Sequence, residues 1–347
     1  MLTFRAYGWF LARRLGLTVL TLWGLATLVF LMIKLMPGDE AQMAAGADAS
    51  AAQVEAVRER LGLNAPPILQ YFGFLARVAK GDFGTSIVTF QPVLNDLEKV
   101  LPSTLELVLF AMIINLAIAI PTGIIAADRR GGIFDGISRT VAVVLGGAPA
   151  FWLALMLQYL LGSVWKVLPI SGQQSYGLSA PTVSGAPTLD ALLAFNLPAL
   201  GDALYHIILP ATVLAALFST QVFRTLRASL LGVLRSDFIT AIRAKGATGS
   251  RLLVRHALPN SLNPVLTLTG TQAGAMIGSA VLVETVFARQ GIGAYMFNAV
   301  AQKDSFAVLG AVMFIGTVVC IVNLAVDILQ LVVDPRIRAA QLGGQSL

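Results

Sequence analysis

Six long apolar stretches of the chain carry no Lys, Arg, Asp or Glu: Leu15 to Ile33, Leu107 to Ala127, Thr140 to Trp165, Ala203 to Phe223, Ala257 to Val283 and Ser305 to Val326. Each supplies the roughly 20 residues that a helix needs to cross a bilayer core about 30 Å thick. The pattern therefore predicts six helical spans. The polar gap from Pro37 to Pro102 is long enough to fold. Within it, "AAQVEAVRERLGL" places Val54, Val57 and Leu61 at helix spacing. The gap from Leu168 to Asp202, rich in Gly, Pro and Ser, predicts an irregular loop.

After the fourth run, Leu231, Leu234, Phe238 and Ile242 recur at intervals of three and four, which extends that span as an amphipathic helix. It should stop at "AKG", where Lys245 meets the negative end of the helix dipole and Gly246 can adopt a left-handed C-cap. Ser250 suits the N-cap of a second short helix through Leu258, which Pro259 should disturb just before span five. No internal repeat stands out at a fixed period. That weakens an inverted-repeat secondary transporter without excluding it.

Composition agrees with the runs. Of 347 residues, 56% are hydrophobic and 12% charged, and the mean hydropathy is +0.79. A soluble domain could not solvate such a surface. The expected class is an all-α integral membrane protein. The first run follows Arg13 and Arg14 and exceeds the roughly 7 to 15 apolar residues of a signal-peptide core, so a retained anchor helix is expected. The single cysteine, Cys320, excludes a disulfide framework or a cysteine metal site within the chain.

Charge sets the orientation. Fifteen Lys and Arg fall in the N-terminus, the loops after spans two and four, and the tail with Arg336 and Arg338. Eight fall in the alternate loops, including Arg289, with Lys34 at a membrane edge. The positive-inside rule puts the richer set, and both termini, in the cytoplasm. The net charge of +6 then requires no nucleic acid. Within Ala241 to Pro259, Arg243, Lys245, Arg251 and Arg255 occur with no carboxylate, beside Leu252, Leu253, Val254 and Leu258. A solvated basic loop touching lipid headgroups is the plain reading. A short helix with apolar and cationic faces also suits an acidic, grooved partner or the membrane interface.

The order of residues here resembles the membrane permease subunits of ATP-binding-cassette importers, whose loop follows the pattern E-A-A-x3-G-x9-I-x-L-P. Thr240 stands at the Glu position, Ala241 and Ile242 at the two Ala, Gly246 at the Gly, His256 at the Ile, and Leu258 with Pro259 at the closing pair. Thr240, Ile242 and His256 depart from the pattern, and no salt bridge is carried over to Thr240. "LMPGDE", "RLGLNAPPILQYFGFLARVAKGDFGTS", "DFITAIRAKG", "RHALPNSLNPV", "VETVFARQGIG" and "VVDPRIR" resemble the B-type permease of dipeptide, oligopeptide, glutathione and nickel importers, from about Leu11 to Arg338. Arg289 and Gln290 stand where that family usually has Trp-Pro.

The resemblance implies a multi-pass protein of the bacterial inner membrane, forming half of a translocation pathway for peptides or related small solutes. It divides the chain into a cytoplasmic N-terminus with span one (1–36), an extracytoplasmic segment (37–102), a five-helix core (103–338) and a cytoplasmic tail (339–347). In that core the loop at about 235–260 is a coupling helix seated on an ATPase, with Arg243, Ala244, Lys245 and Ala247 also near the contact. The implied partners are a C-type permease, two cytoplasmic ATPases that bind ATP and Mg, an extracytoplasmic substrate-binding protein, and membrane lipid.

Glu106, Asn115, Glu284, Asn323 and Asp327 lie within or beside spans, where polar groups suggest function. The plainer reading has Glu106, Glu284 and Asp327 capping or pairing locally near span ends, and the asparagines bonding between helices. Gly270, Gly274 and Gly278 recur every four residues and would permit close packing. In the resembled family, span five also lines the pathway. Met32, Met112, Met156, Met276 and Met313 suit core filling better than a metal path. No G-x4-G-K-[ST] loop occurs. A hydrolase would have only His206 to pair with Ser171, because His256 falls on the opposite side.

Overall fold

In a bilayer the backbone has no water to bond, so apolar runs of this length satisfy their own N–H and C=O groups as helices. The computed structural model describes residues 2–35, 39–46 and 49–333, and these are helical with no strand among them. Helix α1 is Leu2–Leu35, followed by short helices α2 (Glu40–Ala45), α3 (Ala51–Leu61) and α4 (Pro67–Ala79). The predicted helix around Val54 is α3. It opens on a capping box in which the Ser50 N–H donates to Gln53 Oε1 at 2.8 Å.

Helix α5, Val93–Asp128, begins well before the apolar run and carries Pro102 and Pro121 inside it. The expected boundary near residue 102 falls within this helix. The third run is not one straight span: α6 (Ile133–Gly147) and α7 (Ala150–Leu157, continuing as a π-helix over Gln158–Val164) meet at 111°. Pro149 disfavours a helical conformation at the residue before it, and Ala148 is extended at φ −77°, ψ 134°. The loop expected between Leu168 and Asp202 contains α8, Pro187–Leu193, and ends where α9, Leu197–Leu234, begins. Three hydrogen bonds tie the segment before α8 to that helix: Asp190 accepts from Ser184 N and Oγ at 2.6 and 2.7 Å and from Gly185 N at 3.2 Å.

Beyond α9 come α10 (Asp237–Ala244), α11 (Gly249–Arg251, running into a π-helix over Leu252–Ala257), α12 (Leu258–Ser261), α13 (Asn263–Val286), α14 (Ile292–Ala301) and α15 (Ser305–Val333). Arg336, Arg338 and the tail 339–347 lie outside the described residues, as do Met36 to Gly38 of "LMPGDE".

Helices α5 and α9 form the largest packed pair, and α13 lies against both. Their shared core includes Leu107, Leu209, Leu214, Met276 and Val283, all buried. Helix α15 packs on α13, and α1 packs on α15 at the edge. Along α1 the large apolar side chains Val19, Leu20 and Leu28 face outward and are more than half exposed. Such a surface matches hydrocarbon and not water. Among the described residues, five helices are long and apolar enough to cross a membrane, and the bent α6–α7 pair makes a sixth if it is one span. Met276 and Met313 are core fillers as read, whereas Met32 is exposed on α1.

Candidate functional site

The basic stretch is built on the C-terminal ends of α5 and α9. Helix α9 does not run on to "AKG"; it stops at Leu234, and Ser236 is extended at φ −74°, ψ 153°. The cause is local: Ser236 occupies an N-cap position and Asp237 follows in the first turn, where the positive helix end favours it. Helix α10 then closes as the sequence predicted. Gly246 sits at φ +86°, its N–H donates to the Arg243 carbonyl at 2.9 Å, and the Ala247 N–H donates to the Ile242 carbonyl at 3.3 Å. Thr248, not Ser250, precedes the next helix. Pro259 lies in the first turn of α12, where the missing N–H costs nothing, so it does not break the chain there.

The inner face of this unit is apolar. Ile239, Leu252, Leu253 and Ala257 are buried against Ala127 and Leu230, while Leu258 packs in the cluster around Phe223 and Val265. The outer face presents Thr240, Ala241, Arg243, Ala244 and Lys245, together with Phe238 and Val254, each about half exposed. Among the described residues, Arg243, Lys245, Arg251 and Arg255 have no carboxylate within ion-pair reach. His256 is half buried, and its carbonyl accepts from Asn260 Nδ2 at 2.8 Å. Arg227, counted with these cations by charge pattern, belongs to α9 and forms a two-point pair with buried Asp135 of α6 at 2.6 and 2.7 Å. Desolvated Asp135 needs that partner, which ties α6 to α9.

The polar residues of the spans separate into two groups. Asn115 on α5 is fully buried, and its Nδ2 donates to Gln272 Oε1 of α13 at 3.1 Å. Gln272 in turn donates to the Phe218 carbonyl of α9 at 3.1 Å and to Gln221 at 3.3 Å. This amide chain joins the three central helices. Gly270 and Gly274 are packing positions: a Cβ added there would come within 2.3 Å of Val326 and 2.6 Å of Asn323 Oδ1 on α15. Gly278 is exposed with nothing within 4 Å.

The second group lies at the opposite end of α5 and α13 from the basic loop. Glu284 is fully buried and accepts from the Gly293 N–H at 2.7 Å, capping the start of α14. The carboxyl fits only because Gly291 has no side chain, since a Cβ would fall 2.3 Å from it. Glu106 does not pair locally. It accepts from Arg289 Nη2 at 3.1 Å across 183 residues and from the Thr188 N–H at 2.7 Å. Arg289, expected in an outer loop, is 1% exposed. Burial pulls its guanidinium below the ordinary value, opposed by the charges of Glu106 and Glu284, and an arginine remains charged throughout. The neighbouring Ala288 is left-handed at φ +48°. Asp327 likewise pairs between helices, with Arg14 of α1 at 2.9 Å.

Sequence spacing could not find the Glu106–Arg289 pair, because only the fold brings α5 to the α13–α14 turn. The one available signal was Arg289 itself, a charge in an apolar setting. No group of three metal-binding side chains occurs among the described residues. His206 is committed elsewhere: Nδ1 lies 2.8 Å from the Asp202 carbonyl and 3.5 Å from its carboxylate.

Comparison with known proteins gives the family. The family described as binding-protein-dependent transport system inner membrane component matches residues 119–339, and the N-terminal component of such systems matches residues 8–108. The dipeptide transport system permease protein DppB of Alkalihalophilus pseudofirmus is 36% identical over 326 residues, 94% of this chain and 98% of that protein. The probable D,D-dipeptide transport system permease protein DdpB of Escherichia coli K12 is 39% identical over 320 residues, 92% of this chain and 94% of its own. The di/tripeptide transport system permease protein DppB of Pseudomonas aeruginosa is 36% identical over 330 residues, 95% and 98% of the two chains. Matches that run the length of both chains, on a fold of stacked apolar helices, leave one conclusion: the chain belongs to the inner membrane components of binding-protein-dependent transport systems, and is a multi-pass permease subunit of an ATP-binding-cassette importer, not an enzyme.

Proposed function

We propose that this permease carries dipeptides or short peptides and couples their import to ATP hydrolysis through the 237–261 unit. The outer face of that unit carries the proposal. Helix α10 and the following π-helix are anchored by Ile239, Leu252 and Leu253, while Phe238, Val254 and four cations without ion-pair partners among the described residues are exposed on the other side. Such a face suits a groove with acidic walls. The groove belongs to two cytoplasmic ATPases, which hold ATP and Mg. A C-type permease completes the pathway, and an extracytoplasmic binding protein delivers the cargo. The bent α6–α7 pair serves as the third of six spans, with both termini in the cytoplasm as the distribution of Lys and Arg favours. Of the candidate pathway residues, Gly278 borders the route because its face is bare and open, while Asn115, Gly270, Gly274 and Glu284 hold the helices behind it.

The cargo reading rests on relatives named for dipeptides and di- or tripeptides. The test is to isolate the tagged protein in mild detergent and identify what stays bound. Two ATPases and a second permease are expected, with uptake of labelled dipeptide into vesicles that requires ATP. Transport by this chain alone, without ATP, would establish a secondary transporter instead.

A further inference from the structure

A cavity of about 240 Å³ lies between α1, α3, α4 and the start of α15, away from both groups of site residues. Its floor is apolar, formed by Val29 and Ile33 of α1 with Leu309 and Met313 of α15. Its rim carries two guanidiniums, Arg60 and Arg77. Arg77 Nη1 makes one long contact, 3.5 Å to the Leu61 carbonyl, and Arg60 has no ion-pair partner among the described residues. Asp82 also lines the cavity, but its carboxylate accepts from the Gly84 N–H at 3.0 Å. The volume lies below the roughly 300 to 1,000 Å³ of ordinary small-molecule pockets.

The surroundings suit a cavity at membrane-interface depth. Helix α4 turns Ile68, Leu69 and Phe72 outward, each about 60% exposed, while Phe74 and Arg77 face the cavity. That is the division of an interfacial amphipathic helix. Phe30, Tyr71 and Phe74 form an aromatic cluster with ring centroids 5.3 and 5.7 Å apart, and Tyr71 bonds Thr27 at 2.7 Å. Tyr71, an aromatic ring with a polar tip, is of the kind enriched at headgroup level. From Ser305 to Met313, α15 descends about 12 Å at 1.5 Å per residue, enough to pass from the headgroups into hydrocarbon.

We propose that the cavity is a binding site for an anionic phospholipid, one acyl chain lying on Val29, Ile33, Leu309 and Met313 and the phosphate taken by Arg60 and Arg77. Arginine suits this ligand because its planar donors match phosphate oxygens. An apolar floor beneath the cations distinguishes a lipid from free phosphate, which would gain nothing from it.

The test is native mass spectrometry on the full-length chain with the subunits that accompany it, titrated with phosphatidylglycerol, phosphatidylcholine or inorganic phosphate. Retention of phosphatidylglycerol over phosphatidylcholine is expected. The double variant Arg60→Gln/Arg77→Gln should weaken phosphatidylglycerol about tenfold, which is about 1.4 kcal/mol. Ile33→Trp should expel the lipid by filling the floor while both arginines remain. Thermal unfolding of each variant checks that the protein is folded. Unchanged lipid binding in both variants, or inorganic phosphate binding as tightly as the lipid, would overturn the proposal.

Discussion

Replacing Arg289 by Met removes a charge from a site where two carboxylates depend on it. Arg289 and Glu106 have side chains only 1% and 5% exposed, and the pair spans 3.1 Å. Glu284 is also buried, with Oε1 unpartnered among the described residues. Breaking one side of a buried pair costs about 3–5 kcal/mol, because the remaining charge stays out of water. Glu106 keeps its two Thr188 donors, so the expected cost of Arg289→Met is near the lower end, about 3 kcal/mol. Glu106→Gln should cost somewhat less, since Arg289 would still face Glu284. In the double variant Glu106 no longer carries a charge, but buried Glu284 still lacks its cation, so the double change should cost about as much as Arg289→Met alone, about 3 kcal/mol. The double-mutant cycle should therefore show coupling of about 2 kcal/mol. Unfolding of the detergent-solubilised protein, followed by tryptophan fluorescence, measures it. Additivity of the two single changes within about 0.5 kcal/mol would refute a working pair.

Three further outcomes follow from the geometry. Gly246→Leu puts a side chain at φ +86° with no neighbour within 4 Å, so the cost is backbone strain of about 1–2 kcal/mol; uptake should fall at equal membrane level, and Gly246→Asn, which tolerates that conformation, should restore it. Gly274→Leu should separate α13 from α15 and lower thermal stability, whereas Gly278→Ala should leave stability unchanged, both read by size-exclusion after heating. Burial raises the Asp190 carboxyl, but its bonds from Ser184 and Gly185 outweigh burial and hold it below the usual carboxylate range. Its folded value is thus depressed. The stability it lends is present above about pH 3.9, the unfolded value, and is lost as pH falls further; protease sensitivity of residues 183–190 should rise there, and Asp190→Asn should abolish that pH dependence.

The sequence by itself determined the class of the protein. Charge-free runs of about 20 residues admit only membrane helices, and among the described residues five such helices are present with a bent pair for the third run. The Gly246 turn was equally legible, because a left-handed cap is a property of one residue and its neighbours. The "GGAP" at Gly146 to Pro149 held the signal for the 111° bend, but hydropathy averages across such a break.

Contacts between distant helices were decided only in three dimensions. Nothing local links Glu106 to Arg289, Asn115 to Gln272, or Asp135 to Arg227. Each is a polar group whose burial is tolerable only beside one particular partner, and the packing of α5, α9 and α13 supplies that partner. The same holds for the glycines: three at equal spacing look alike in sequence, yet α15 covers Gly270 and Gly274 and leaves Gly278 bare. Period and composition are carried by each segment alone, whereas partnership depends on which segment packs beside it.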